Sequence, residues 1–217
     1  MSFFDSIPVP PAEPPQRPRR PAWARSDAVI PGSVPAELIL ARTEEAAIAV
    51  GSVRAYPNGF EFTVHVRLRR EDETTALHAD LFGWHRAGGM VPAGALRLGV
   101  MYADGRRAAT IGGPALPADD PDRLILQQDG GGGNELSYHQ DVWAHPLPPP
   151  GPVTLVVSWL QHGIPEARAE LDGTAIGEAA QRAVTLWPDE PEPRSSTSWT
   201  TSTSTFTVGE PDQPDTV

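Results

Sequence analysis

Between Phe60 and Arg69 the chain alternates without a break. Phe60, Phe62, Val64, Val66 and Leu68 interleave with Glu61, Thr63, His65, Arg67 and Arg69. A β-strand sends successive side chains to opposite faces, so this stretch is a strand with one face in a core and the other in water. A helix cannot sort these residues, because at 3.6 residues per turn the apolar set would spread around the axis. A strand with one apolar face needs a second layer to cover it, and the rest of the chain has to supply that layer.

The flanking sequence supplies strands. Ala46 to Tyr56 (AAIAVGSVRAY) is rich in small and β-branched residues, and Pro57-Asn58-Gly59 is a tight-turn signal, since Asn-Gly tolerates positive φ. With LILA inside Val34 to Thr43, these segments predict an antiparallel meander. Leu96 to Ala103 and Arg106 to Ile111 form a second pair about Asp104-Gly105. Arg123 to Gln128 and Glu135 to Ala144 flank Asp129-Gly-Gly-Gly-Gly-Asn134, which reads as a flexible hairpin loop, and Leu136, Tyr138, Val142 and Ala144 share the core face of the second segment. Val153 to Leu160 is apolar on both faces, the mark of a central strand, and Trp159 belongs to its core set with Val153, Leu155 and Val157. Glu166 to Leu171 returns as a last strand. Ile176, Ala179, Ala180 and Ala183 then follow helical spacing, so Thr174 to Ala183 is a short helix, with Trp187 folding back on the sandwich. The fold class expected is all-β, mainly an antiparallel β-sandwich, with one short C-terminal helix and disordered tails.

Domain limits follow from composition. Residues 1–32 are a Pro/Arg-rich tail with prolines at 8, 10, 11, 14, 15, 18, 21 and 31, which read as polyproline or coil. Within it, Phe3, Phe4, Ile7 and Val9 form an apolar cluster suited to docking on a partner or on the chain's own domain. Residues 33–187 are the sandwich. Residues 188–217 are acidic and then rich in serine and threonine, and bury too little apolar surface to offset ordering. Residues 71–95 are a long excursion dominated by glycine and proline.

Charge and composition exclude several functions. The 17 cations are all arginine and face 28 carboxylates, for a net charge of −11, which repels phosphate backbones and argues against nucleic-acid binding. With no cysteine, thiol catalysis and cysteine-ligated zinc are excluded. The start, MSFFDSIPVPP, lacks a cationic region followed by an apolar one, and no apolar run approaches the roughly 20 residues a spanning helix needs. A cytoplasmic protein without membrane association is expected.

Chemistry-bearing motifs are few. The glycine run lacks the Gly-Lys-Ser/Thr of a phosphate loop, and no βαβ unit carries a dinucleotide fingerprint. No Gly-x-Ser-x-Gly or His-Glu-x-x-His is present. His139 and Asp141 point the same way on one strand, about 6.5–7 Å apart, so they can converge on a divalent metal. His145 lies too far along the strand to join them, and His65 is the best third ligand. The competing reading is an ordinary solvated strand face, with no cofactor at all. Trp143, on the same face, with Tyr138 and with Asn134 beside the glycine run, is the candidate contact set for a ligand, a glycan or a partner.

The segments RAYPNGFEFTVHVRLR, LRLGVMYADGRRAAT, DVWAHPLPPPGPVTLVVSW and ELDGTAIGEAAQRAVTLWP resemble a set of uncharacterised actinobacterial proteins. The resemblance covers Val34 to Trp187, with SIPVPP near the start. It implies an actinobacterial source and a domain of unassigned function, with no catalytic residues to transfer. The function expected is a non-catalytic intracellular binding or scaffold module, its protein partner met through the tails or the exposed strand face. A metal-dependent enzyme or metal-binding protein, and a small-molecule or glycan binder, are the alternatives.

Overall fold

A computed structural model describes residues 21–70, 94–110 and 123–187. Its strands run β1 (Val29–Ile30), β2 (Gly32–Val34), β3 (Leu38–Arg42), β4 (Ala46–Tyr56), β5 (Gly59–Leu68), β6 (Arg97–Met101), β7 (Arg107–Ala109), β8 (Ile125–Gly133), β9 (Ser137–His145), β10 (Pro152–Trp159), β11 (Ile164–Asp172) and β12 (Val184–Thr185). Among the described residues one α-helix, α1 (Gly173–Gln181), follows β11 directly, and its first turn is capped by Asp172, whose Oδ1 accepts from the Thr174 amide at 2.8 Å. The readings for residues 1–20, 188–217 and most of 71–95 lie outside the described residues.

The architecture is the expected antiparallel β-sandwich. A six-stranded sheet runs β2-β4-β5-β9-β8 with β3 also on β4, and a four-stranded sheet runs β11-β10-β6-β7. The alternating strand β5 sits inside the larger sheet, paired on one side with β4 and on the other with β9. Its apolar set Phe60, Phe62, Val64, Val66 and Leu68 faces Val153, Leu155, Val157 and Trp159 of β10 in one continuous core, with all of these residues buried. β10 is central to the smaller sheet, between β6 and β11, as its two apolar faces require.

Strand β4 is longer than either neighbour on its outer side. Val34 at the end of β2 pairs with Val53, and Leu38 at the start of β3 pairs with Val50, so the two short strands share one edge of β4 in succession. At the hand-over β4 is bulged: its register against β5 shifts between Gly51 and Arg54, and Ser52 takes φ 53°. Helix α1 lies on this part of the sheet. Gly32 makes that contact possible, since a Cβ there would meet the Ala179 carbonyl oxygen at 1.9 Å.

Four expectations are corrected. The glycine run is no loop: Gly131, Gly132 and Gly133 pair with Gln140, His139 and Tyr138 as the end of β8, after a bulge beyond Gln128. Side chains would not fit there, because a Cβ on Gly131 would meet the Tyr138 hydroxyl at 2.8 Å and one on Gly133 the Ser137 carbonyl at 2.0 Å. The folded domain begins before residue 33, with β1 pairing β12 and β2 pairing β4. Leu136, expected on a core face, is at the turn and 37% exposed. Trp187 is 65% exposed and does not fold back into the core.

Candidate functional site

The outward face of the six-stranded sheet carries almost every polar residue singled out from sequence. Pairing sets them in rows. Ala49, His65, His139 and Gly132 face one another across four strands, and Gly51, Thr63 and Asp141 form the next row. His65 and His139 are therefore direct cross-strand neighbours, and Asp141 lies one row away. Thr63 donates its hydroxyl to Asp141 Oδ1 at 2.7 Å.

The three candidate metal ligands share a face but do not close on one point. The His65 ring reaches over Gly51, whose added Cβ would lie 3.7 Å from Nε2, while His139 leans over Gly132, whose Cβ would lie 3.6 Å from Cε1. The rings thus diverge, and Asp141 is engaged by Thr63. Among the described residues no three histidine or carboxylate side chains are grouped as a metal would need. The three-ligand set His65, His139 and Asp141 is corrected on that ground to a histidine pair with a carboxylate beside it. His65 is held below the ordinary histidine range, first by burial and then by Arg67 and His139, against an opposing pull from Asp141. Its Nδ1 is buried with no hydrogen-bond partner among the described residues, a desolvation that opposes a second proton on the ring.

A cleft of about 430 Å³ opens beside this row, lined by residues 33–37 and 52–54 and by Thr63. Its polar groups are the hydroxyls of Ser33, Ser52 and Thr63, the carboxylate of Glu37 and the guanidinium of Arg54. A serine at positive φ is an uncommon and strained conformation, and here it aims an exposed Ser52 side chain beside the cleft. The β4 bulge produces this, and no local sequence signal marks it. Through Thr63 the cleft continues into Asp141 and the histidine pair, making one polar strip.

The other half of the same face is covered. Residues 21–27 cross it as a strap. Trp143, expected exposed, is 2% exposed beneath that strap. It donates Nε1–H to the Trp23 carbonyl at 2.8 Å and packs edge-on against Tyr56, with ring centroids 5.4 Å apart. Tyr138 is likewise buried, on the core side. Asn134 serves the β8–β9 turn: its Oδ1 accepts from the Leu136 amide at 3.1 Å and its amide donates to the Ser137 carbonyl at 2.7 Å. Among the described residues, therefore, Trp143 and Tyr138 form no exposed aromatic platform on this face.

Sequence reasoning passed over Glu61, which is 2% exposed on the outward side of β5. It pairs with Arg25 and, at 2.5 Å, with Arg54 Nε. The Tyr56 hydroxyl is pushed up by burial and then by this carboxylate. The available signal was the single acidic residue in a strand whose other outward residues are Thr63, His65 and Arg67. Its two arginines lie 36 residues before it and seven before it, and only the tertiary fold brings the first to it.

No described helix is long and apolar enough to cross a membrane. No family model matches the chain, and neither the curated proteins nor the solved structures compared with it give a match.

Proposed function

We propose that this chain is a non-catalytic binding module whose recognition surface is the polar strip on the six-stranded sheet, met by a protein partner. The observation that carries the reading is Ser52. The bulge that strains it opens the cleft with Ser33, Glu37 and Arg54, and strain of this kind collects at functional positions. The strip offers a mixture of donors and acceptors on a rigid sheet, with the small, half-buried residues Ala47 and Ala49 beside them. Among the described residues neither His65 nor His139 hydrogen-bonds a serine or threonine hydroxyl, so neither of these two is set as the base of a nucleophile–base pair.

The test is affinity capture with the full chain and with a variant carrying Ser33→Arg, Glu37→Arg and His139→Ala, all on exposed positions of the strip and none of them a partner of Glu61. A partner retained by the natural chain and lost by the variant supports the reading. A partner held equally by both, or none held by the natural chain, refutes it.

A second reading has one observation in its favour, the direct cross-strand placement of His65 and His139. Two imidazoles on adjacent strands, once rotated from their diverging positions toward one another, suit a divalent transition metal whose remaining ligands come from a partner or from water. Zinc titration followed by thermal shift decides it. A rise in Tm that His65→Ala and His139→Ala each abolish supports the site, and an unchanged Tm in the natural chain removes it.

A further inference from the structure

The strap is held in an unusual way. Asn58 Nδ2 donates to the carbonyls of Ala22 and Ala24, each at 2.9 Å, and Trp143 Nε1 donates to the carbonyl between them, that of Trp23, at 2.8 Å. The next residue, Arg25, sends Nη1 to the buried Glu61 carboxylate and Nη2 to Asp129 Oδ2 at 2.9 Å. Four consecutive residues are thus read by four side chains, and the carbonyl contacts come from side-chain donors, not from a strand ladder.

The receiving side is built independently of the strap. Glu61 lies at ion-pair distance from Arg54 on the neighbouring strand, and Trp143 packs edge-on against Tyr56. Gly59 makes room for the indole, since a Cβ there would meet the Trp143 ring at 2.6 Å. His145 Nδ1 and the Asn58 carbonyl oxygen are 2.6 Å apart, which holds the Asn58 backbone in place.

We propose that Asn58, Glu61, Asp129 and Trp143 form a peptide-recognition groove, that residues 21–27 are its occupant in cis, turned by the Ala24 amide donating to the Pro21 carbonyl at 2.9 Å, and that a turn-forming, arginine-bearing peptide takes it in trans. Carbonyl readout is indifferent to sequence, so specificity falls on the arginine. One guanidinium spans two carboxylates on different strands, a geometry that its planar fork fits and a lysine ammonium does not. The proposal concerns the covered half of the face and stands whether or not the exposed strip binds anything.

The experiment uses the full chain with Arg25→Ala, which weakens the cis occupant, and an acetylated peptide of residues 21–28 (PAWARSDA) as probe. A tethered occupant acts at millimolar effective concentration, so the peptide is expected to bind the R25A chain at least tenfold more tightly than the natural chain. Replacing the peptide's arginine by lysine should weaken binding at least tenfold, and adding Glu61→Gln to the R25A chain should do the same. No binding to an R25A chain that melts like the natural protein overturns the proposal, as does equal binding of the lysine peptide. If R25A does not fold, the natural chain decides. Several millimolar peptide should move the Trp23 indole resonance toward that of the free peptide while the Trp143 indole N–H stays hydrogen-bonded, and an unmoved Trp23 signal overturns the groove.

Discussion

His65 shows how much one side chain's meaning depends on its neighbours. In sequence it is one polar residue in an alternating strand; in the fold its ring is half-buried between His139 and the Gly51 backbone. Burial, Arg67 and His139 together hold its pKa below the ordinary value, which for histidine is about 6.5. As pH falls the unfolded chain takes up this proton before the folded one does. Stability is therefore lost between about pH 6.5 and the lower folded-state value, and the loss is complete below it. Urea unfolding at pH 7.5 and pH 5 should show His65→Gln losing less stability than the natural chain over that interval, and equal losses would contradict the assignment. Ser52 offers a second residue-scale test. Glycine takes positive φ without the Cβ penalty, so Ser52→Gly should raise stability by about 1 kcal/mol in chemical denaturation while removing a hydroxyl from the cleft.

At the scale of elements, glycine decides where layers touch. Helix α1 reaches the sheet only because Gly32 has no side chain, and Gly32→Ala must lift the helix off β2 or bend the strand. A cost of about 1–3 kcal/mol is expected, whereas Gly177→Ala on the same helix meets nothing within 4 Å and should stabilise by about 0.5–1 kcal/mol through helix propensity. Thermal melts of the two variants should move in opposite directions. The glycines ending β8 make the same point for sequence reading. A tetraglycine looks like a loop because glycine has low strand propensity, yet here the partner strand occupies the space that side chains on Gly131 and Gly133 would need, through the Ser137 and His139 carbonyls and, at Gly131, the Tyr138 and Gln140 side chains. That information belongs to the partner strand, so no local pattern could reveal it.

For the whole molecule, both sheets contribute to one core, and they should unfold together. Leu155 sits on the central strand of the smaller sheet with no exposed surface, and Leu155→Ala should cost about 2–5 kcal/mol. Tryptophan fluorescence, which reports Trp143 in the larger sheet and Trp159 in the smaller, and far-ultraviolet circular dichroism should give coincident transitions for the natural chain. Separate midpoints would mean that the two sheets are independent units.

The sequence by itself determined that strands would dominate, that β5 would have one apolar face, that β10 would lie inside a sheet, and that a single short helix would follow the last long strand. Each of these is a local periodicity, and side-chain alternation or helical spacing is enough to read it. It also placed His65, His139 and Asp141 on a polar face, because period-two alternation assigns faces without reference to partners. Only the tertiary structure decided that the two histidines are cross-strand neighbours with diverging rings, that Trp143 is hidden beneath residues 21–27, and that Glu61 is buried between Arg25 and Arg54. Burial and pairing depend on register and on contacts between distant segments, and a residue's own neighbours in sequence carry no record of them.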